Sequence, residues 1–128
     1  WSILTTGLKN RPPKDAVITG KAYGIGTYFA PDAIKSLGYT SRTGSKWANG
    51  DQAYGLMFIC KVATGKPDQY YNGHLGCDSS LNFGKLQTIQ PGALCTWAEC
   101  RYSGFMMDEV IVYQDEQSTV EYVLQIGM

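Results

Sequence analysis

Aromatic and hydroxyl side chains cluster early in the chain, at a spacing that could hold a flat ring. The cluster consists of Ser36 and the aromatic residues Tyr23, Tyr28, Phe29 and Tyr39. Two aromatic rings can sandwich a planar group, and a serine hydroxyl can hydrogen-bond an amide on that group. Aromatic residues also build ordinary hydrophobic cores, so the residue types alone leave both interpretations open.

A carboxylate stands at the start of an apolar run late in the chain. Glu109 follows Asp108 and opens the segment EVIVY over residues 109–113, which has the composition of a strand. A carboxylate at the end of a strand can orient a substrate hydroxyl and stabilise a developing positive charge. It can also be a solvated strand terminus, and the residue types do not decide between the two.

Several common catalytic and binding motifs do not occur in the sequence. His74 is the one histidine, so neither a metal site made of histidines nor a Ser-His-Asp triad is indicated. The sequence contains no GxSxG elbow and no P-loop. Gly24-x-Gly26 lacks the third glycine and the long helix of a Rossmann fingerprint. These classes of enzyme are therefore disfavoured.

The cysteines bear on metal binding and on compartment. Two pairs could together supply four zinc ligands: His74-x2-Cys77 and Cys95-x4-Cys100. Neither spacing is that of a zinc finger and no CxxC occurs, so we predict free thiols and no metal site. Reduced thiols, with no signal-peptide pattern at the N-terminus, favour an intracellular location, either nuclear or cytoplasmic.

Composition predicts one globular domain over residues 1–128. Hydrophobic residues make up 44% of the chain and charged residues 17%, which suits a buried core. The 11 acidic residues balance the 11 basic ones, so bulk charge gives no argument for a nucleic-acid partner. No apolar run approaches the roughly 20 residues of a membrane span, so no membrane partner is predicted.

The hydrophobic pattern predicts a strand-rich α+β domain with short helices between the strands. Helical spacing is present over residues 1–8, and a proline and a glycine delimit one or two helical turns over residues 31–38. Strands are predicted at residues 16–18, 27–30, 54–62, 109–113 and 120–126, and the third of these is the clearest buried strand.

The connecting segments are less informative. Residues 40–51 form a predicted polar loop, residues 66–91 contain many turn residues with little periodicity, and residues 93–104 are ambiguous. Residues 115–118 separate the last two predicted strands, a length suited to a hairpin.

Several segments, in the right order, resemble the catalytic domain of poly(ADP-ribose) polymerases, which belongs to the diphtheria-toxin-like ADP-ribosyltransferases. They are WSILTTGL at 1–8, YGIGTYFA at 23–30, KSLGY at 35–39, YGLMFICKVATG at 54–65, DEVIVY at 108–113 and EYVL at 121–124. Residues 66–107 match poorly. The resemblance implies the ADP-ribosyltransferase fold, with two packed, mostly antiparallel sheets and short helices.

The resemblance implies that NAD+ is the substrate and assigns roles to individual residues. Glu109 and Tyr28 correspond to the glutamate and tyrosine of the family's His-Tyr-Glu triad. Ser36 corresponds to the serine that bonds the nicotinamide carboxamide, and Tyr39 to the tyrosine that stacks on the nicotinamide ring. The other residues expected to line the NAD+ site are Tyr23, Phe29, Ala30 and Lys35.

The implied reaction breaks the bond between nicotinamide and ribose and transfers ADP-ribose to an acceptor. Poly- and mono-ADP-ribosylation both stay open, as do the acceptor and the oligomeric state. The family's His-Gly pair lies before the stretch that begins at Trp1, so we expect these residues to be the C-terminal part of the catalytic domain. The alternative is a non-catalytic module of the same fold that binds NAD+, ADP-ribose or a protein.

Overall fold

A computed structural model of the chain describes residues 21–38 and 55–127. These residues form an α+β fold with one four-stranded sheet, one two-stranded sheet and short helices, as predicted. The predicted helix over residues 1–8, the strand over residues 16–18, the loop over residues 40–51 and Tyr39 lie outside the described residues. None of the described helices is long and apolar enough to cross a membrane.

The four-stranded sheet has the order β1-β5-β4-β3. Strands β1 (Thr27–Phe29) and β4 (Cys95–Ala98) pair antiparallel with the two edges of β5 (Glu109–Val112). The short strand β3 (Tyr70–Tyr71) pairs parallel with β4. The strands predicted at residues 27–30 and 109–113 are therefore confirmed, and β5 lies in the interior of the sheet.

Alternation along β5 supplies one cluster of buried side chains to each face of this sheet. Ile111 and Tyr113 belong to a cluster with Tyr23, Leu81 and Leu86. On the other face, Val110 and Val112 pack with Cys95, and the partly buried Phe29, Val62, Tyr70 and Trp97 pack against them. Both faces of β5 are therefore covered, which holds its first residue in a fixed position.

The two-stranded sheet pairs β2 (Gly55–Val62) antiparallel with β6 (Ser118–Ile126), so the hairpin predicted between the last two strands is wrong. A 3-10 turn (Asp115–Gln117) follows β5, and Gln117 is anchored elsewhere. Its Nε2 donates to the carbonyls of Ala63 (3.1 Å) and Leu94 (2.7 Å), and its own carbonyl accepts from the Ala63 amide (2.7 Å). These bonds direct the chain to the end of β2.

Strand β2 is less buried than its apolar sequence predicts. Leu56 is 55% exposed and Ile59 is 47% exposed. The described part of the chain adds no third strand to this sheet. The prediction of a fully buried strand over residues 54–62 is therefore corrected to a half-exposed one, because a continuous apolar run does not say how many layers cover it.

The described residues include three short helices between the strands, and one of these helices is absent from the sequence-based prediction. Helix α1 (Ala33–Leu37) confirms the helical turns predicted within residues 31–38. Helix α2 (Phe83–Ile89) lies in the segment predicted to be rich in turns, and Asn82 caps it by accepting from the Lys85 amide (2.8 Å). The ambiguous segment over residues 93–104 contains β4 and helix α3 (Cys100–Ser103).

Candidate active site

The pairing of β1 with β5 places Tyr28 and Glu109 on the same face of the four-stranded sheet. Tyr28 lies opposite Ile111, and Glu109 precedes Ile111 by two residues on β5. Because side chains alternate along a strand, residues two apart point to one face and the diagonal neighbour across the pair is within reach of a long side chain. The two predicted catalytic residues are therefore neighbours.

The hydroxyl of Tyr28 is held by its own chain. It accepts a hydrogen bond from the Tyr23 amide (2.8 Å) and donates one to the Gly24 carbonyl (2.9 Å). Burial raises the pKa of Tyr28 to about 12; the Tyr23 amide opposes this rise, and the negative charge of Glu109 adds to it. The phenol therefore stays protonated near neutral pH, and its ring has a defined orientation beside Glu109.

A second buried network fixes the backbone that holds Tyr28. The Tyr113 hydroxyl donates to the Tyr23 carbonyl (2.8 Å) and lies 2.8 Å from the Thr96 hydroxyl, which must then be the donor of that pair. Burial also raises the pKa of Tyr113, so this hydroxyl keeps its proton. The chain that enters β1 is thus tied to β4 and β5.

Two glycines allow this segment to pack closely on the sheet. Gly24 has a φ of 88°, in the left-handed region, and a Cβ there would collide with the Leu81 carbonyl. A Cβ on Gly26 would lie 2.7 Å from both the Ile111 side chain and the Val112 carbonyl. The two glycines in YGIGTYFA are therefore required by backbone shape and by close approach to β5.

Lys35 connects helix α1 to the first residue of β5. Its Nζ lies 3.0 Å from Oε1 of Glu109, and both side chains are less than a fifth exposed, at 17% and 16%. The same ammonium donates to the Met107 carbonyl (3.2 Å) and lies 4.6 Å from the centroid of the Phe105 ring. An ion pair this well shielded from solvent fixes the direction of the Glu109 carboxylate.

The other predicted site residues have different surroundings. Phe29 packs in the cluster on the opposite face of the sheet from Tyr28. The Tyr23 side chain is fully buried, edge-on to the Phe105 ring with the centroids 5.9 Å apart. Ala30 and Ser36 are half-buried, at the end of β1 and within α1. The structure thus brings Tyr28, Lys35 and Glu109 together, and the contacts of all the predicted site residues with NAD+ stay predictions.

Two further residues lie near this group. Lys21 lies 4.8 Å from the centroid of the Tyr28 ring and donates to the Gly26 carbonyl (3.1 Å). Burial lowers the pKa of Lys21. Asp108 receives two hydrogen bonds just before Glu109. Its position next to Glu109 is a sequence signal, whereas nothing in the sequence points to Lys21.

The cysteine and histidine positions do not converge in the described residues. There, no group of three or more His, Cys, Asp or Glu side chains could hold a metal ion. His74 contacts Asn72 through Nδ1 (2.8 Å). The thiols of Cys77 and Cys95 donate to the carbonyls of Ser103 (3.7 Å) and Thr64 (3.6 Å).

Comparison with known proteins gives a consistent result over the whole sequence. The family described as poly(ADP-ribose) polymerase catalytic domain matches residues 1–128. The poly(ADP-ribose) polymerase-like protein 100L of Invertebrate iridescent virus 6 is 35% identical over 127 residues, which cover 97% of this chain and 62% of that protein. Poly(ADP-ribose) polymerase 2 of Arabidopsis thaliana is 29% identical over 146 residues, covering 98% of this chain and 22% of the relative.

A third relative extends the same pattern. Poly(ADP-ribose) polymerase 2-B of Oryza sativa subsp. japonica is 29% identical over 148 residues, covering 99% of this chain and 23% of the relative. The chain thus spans less than two thirds of the viral relative and under a quarter of the two plant relatives. The family match over all residues, together with the fold and the grouping of Tyr28 with Glu109, leads to one conclusion: this chain belongs to the poly(ADP-ribose) polymerase catalytic-domain family.

Proposed function

We propose that this chain carries the catalytic site of an ADP-ribosyltransferase, which moves ADP-ribose from NAD+ to an acceptor and releases nicotinamide. The observation that carries the proposal is the shielded ion pair between Lys35 and Glu109, on the same face of the sheet as Tyr28. A carboxylate oriented in this way suits a reaction that develops positive charge on a ribose.

Glu109 has the central role in this proposal. Lys35 contacts Oε1 of this carboxylate at 3.0 Å. Oε2 can then accept a hydrogen bond from a ribose hydroxyl of NAD+ and place negative charge near the anomeric carbon. As the bond to nicotinamide breaks, the sugar gains oxocarbenium character, which a fixed carboxylate stabilises more than it stabilises the ground state.

The other residues of the site bind and orient the leaving group. The Tyr28 ring, held through its hydroxyl, provides one wall for nicotinamide. We assign the stacking partner to Tyr39 and the carboxamide contact to Ser36, the residue after Lys35. Tyr23, Phe29 and Ala30 shape this wall through the backbone of β1 and the segment before it. Holding the ring in place in this way lowers the entropic cost of reaching the transition state.

The free cysteines fit an intracellular location for the protein, because unpaired thiols persist in reducing compartments. The proposal covers both poly- and mono-ADP-ribosylation. Gel analysis of the labelled product separates them, since polymer forms a ladder and a single transfer forms one shifted band.

The decisive experiment measures nicotinamide release and transfer of labelled ADP-ribose by the protein that contains this chain. Glu109→Gln keeps the size of the side chain but removes its charge, and we expect both rates to fall by about 100-fold or more. Binding of a benzamide-type nicotinamide analogue should persist, because the analogue lacks the ribose.

Glu116→Gln is the matched control, since Glu116 is exposed in the 3-10 turn. It should leave both rates unchanged. Wild-type protein that binds the analogue but releases no nicotinamide would replace the proposal with the alternative of a non-catalytic binding module. Equal loss of analogue binding and transfer in Glu109→Gln would make Glu109 a structural residue.

A further inference from the structure

Asp108 makes an unusual pair of hydrogen bonds immediately before Glu109. Its Oδ2 accepts from the indole Nε1 of Trp97 (3.1 Å), and its Oδ1 accepts from the backbone amide of Cys100 (2.9 Å). Both partners are donors with no acceptor capacity at these atoms, so only a side chain with two acceptor oxygens satisfies them. An asparagine would satisfy one partner and turn its own N–H groups toward the other.

These two hydrogen bonds join the two ends of the connection between β4 and β5. Strand β4 ends at Ala98, which lies opposite Glu109 in the sheet, and residues 99–108 form the connection between them. Trp97 lies on β4 and Cys100 begins α3, so Asp108 ties the end of the connection to both sides of its start. The residue that follows this anchor is Glu109.

The charge of Asp108 is stabilised where it lies. The hydrogen bond from the Cys100 amide, then the Trp97 indole and the positive charge of Lys35, lower the pKa of this carboxyl. Lys35 therefore has an acidic neighbour besides Glu109, while its ammonium also donates to the Met107 carbonyl. Lys35 thus contacts the Met107 carbonyl and the Glu109 carboxylate, and its charge also acts on the Asp108 carboxylate between them.

We propose that Asp108 is a positioning residue for Glu109: by holding Trp97 and Cys100 together it fixes the backbone from which the Glu109 carboxylate reaches Lys35 and the ribose. The catalytic consequence rests on the proposed ADP-ribosyltransferase function. The geometric consequence, that Asp108 determines the surroundings of the Glu109 carboxylate, does not depend on turnover.

The kinetic test compares Asp108→Asn with Asp68→Asn, the same chemical change at an exposed residue of the turn before β3. We expect Asp108→Asn to lower kcat for nicotinamide release by about tenfold, since a shift of a catalytic group by about 1 Å can cost about 100-fold and asparagine still satisfies one of the two partners. The KM for NAD+ should change by less than about twofold, because Asp108 touches no substrate. Asp68→Asn should change neither constant.

Trp97→Phe provides the second variant. Alone, this variant removes the indole donor and keeps the Asp108 carboxylate. Combined with Asp108→Asn, it removes the indole N–H that would otherwise face the N–H groups of the new asparagine. The double variant should therefore be no slower than Asp108→Asn alone. Losses that multiply in the double variant would mean that the two residues act separately, and would overturn the positioning role.

Carbon-13 NMR of glutamate side chains provides a readout that needs no turnover, with the Glu109 carboxyl signal assigned by its loss in Glu109→Gln. Asp108→Asn should move this signal, and Asp68→Asn should not. An unchanged Glu109 signal overturns the proposal. A moved Glu109 signal in Asp108→Asn would uphold the positioning role even if wild-type protein releases no nicotinamide. The latter result would refute only the ADP-ribosyltransferase function, so the two failures are distinct.

Discussion

The two sheets of the molecule differ in how well their faces are covered. Ile111 and Val112, on opposite faces of β5, are both 0% exposed, whereas Tyr122 on β6 is 65% exposed and Leu56 on β2 is 55% exposed. Tyr28 and Glu109, the two residues proposed for catalysis, belong to the first sheet, and Lys35 contacts Glu109. The proposed catalytic residues therefore stand on the doubly covered sheet, as expected because a catalytic geometry needs well-packed supports.

The second sheet exposes apolar side chains on both faces. Tyr122 and Leu124 alternate with Val123, so they lie on the face opposite to it, and Val123 shares its face with Leu56. A sheet of two strands with exposed apolar side chains on both faces is marginally stable by itself in water. Its described anchor to the rest of the fold is at one end, where Val62 packs against the first sheet and Gln117 bonds to Ala63.

The largest expected effect is a core truncation in the first sheet. Ile111→Ala should lower the free energy of unfolding by about 3–4 kcal/mol, because it leaves a cavity beneath Tyr28 and Tyr113. Leu124→Ala, which removes an exposed side chain from the second sheet, should cost less than about 1 kcal/mol. Denaturant unfolding monitored by circular dichroism measures both. Comparable losses would show that the second sheet is as well covered as the first.

The next largest effect concerns Gln117, whose hydrogen bonds link the two sheets. Gln117→Ala removes the bonds to the carbonyls of Ala63 and Leu94 and leaves both acceptors without this partner. We expect a loss of about 2 kcal/mol, with faster amide hydrogen exchange in β6 than in β5. Gln125→Ala, on exposed β6, is the control and should change neither. If amide hydrogen exchange in Gln117→Ala became faster to the same extent in both sheets, the sheets would unfold as one unit and Gln117 would not be their link.

A smaller effect concerns pH. The pKa of Tyr28 is raised from 10.0 to about 12, so the unfolded chain releases this proton before the folded chain does. The contribution of Tyr28 to the free energy of unfolding is therefore fully present below pH 10.0 and is lost as the pH rises toward about 12. In Tyr28→Phe the free energy of unfolding should fall less steeply with pH over this range, because one proton fewer is released on unfolding. Tyr122→Phe in the second sheet should leave the slope unchanged. Equal pH slopes for the wild type and Tyr28→Phe would exclude the burial of this phenol.

The sequence predicts the parts of the fold that depend on local patterns. Thr27–Phe29 and Glu109–Val112 are short β-branched and aromatic runs, and Ala33–Leu37 lies between a proline and a glycine. The pairing of β6 with β2 escapes prediction because it depends on Gln117 contacts with residues distant in sequence. The length of the 115–118 segment is compatible with a hairpin, but it carries no information about those contacts.

For the candidate site, too, local sequence patterns do not predict the contacts between distant residues. Residue types left Tyr28 and Glu109 open as core or solvated residues, and the family resemblance selected them. The ion pair of Glu109 with Lys35 required the fold, because α1 and β5 are far apart in the chain. The two hydrogen bonds of Asp108 also depend on where β4 and α3 meet β5. A sequence pattern shows a charged neighbour but not which donors surround it.

The most direct test of the account is a double-mutant cycle between Lys35 and Glu109, measured as the rate of nicotinamide release from NAD+. Lys35→Met should slow release because the carboxylate loses its orientation, and Glu109→Gln should slow it by about 100-fold or more. We expect the double variant to be no slower than Glu109→Gln, since Lys35 acts through that carboxylate. Losses that multiply, or wild-type protein that releases no nicotinamide, would contradict it.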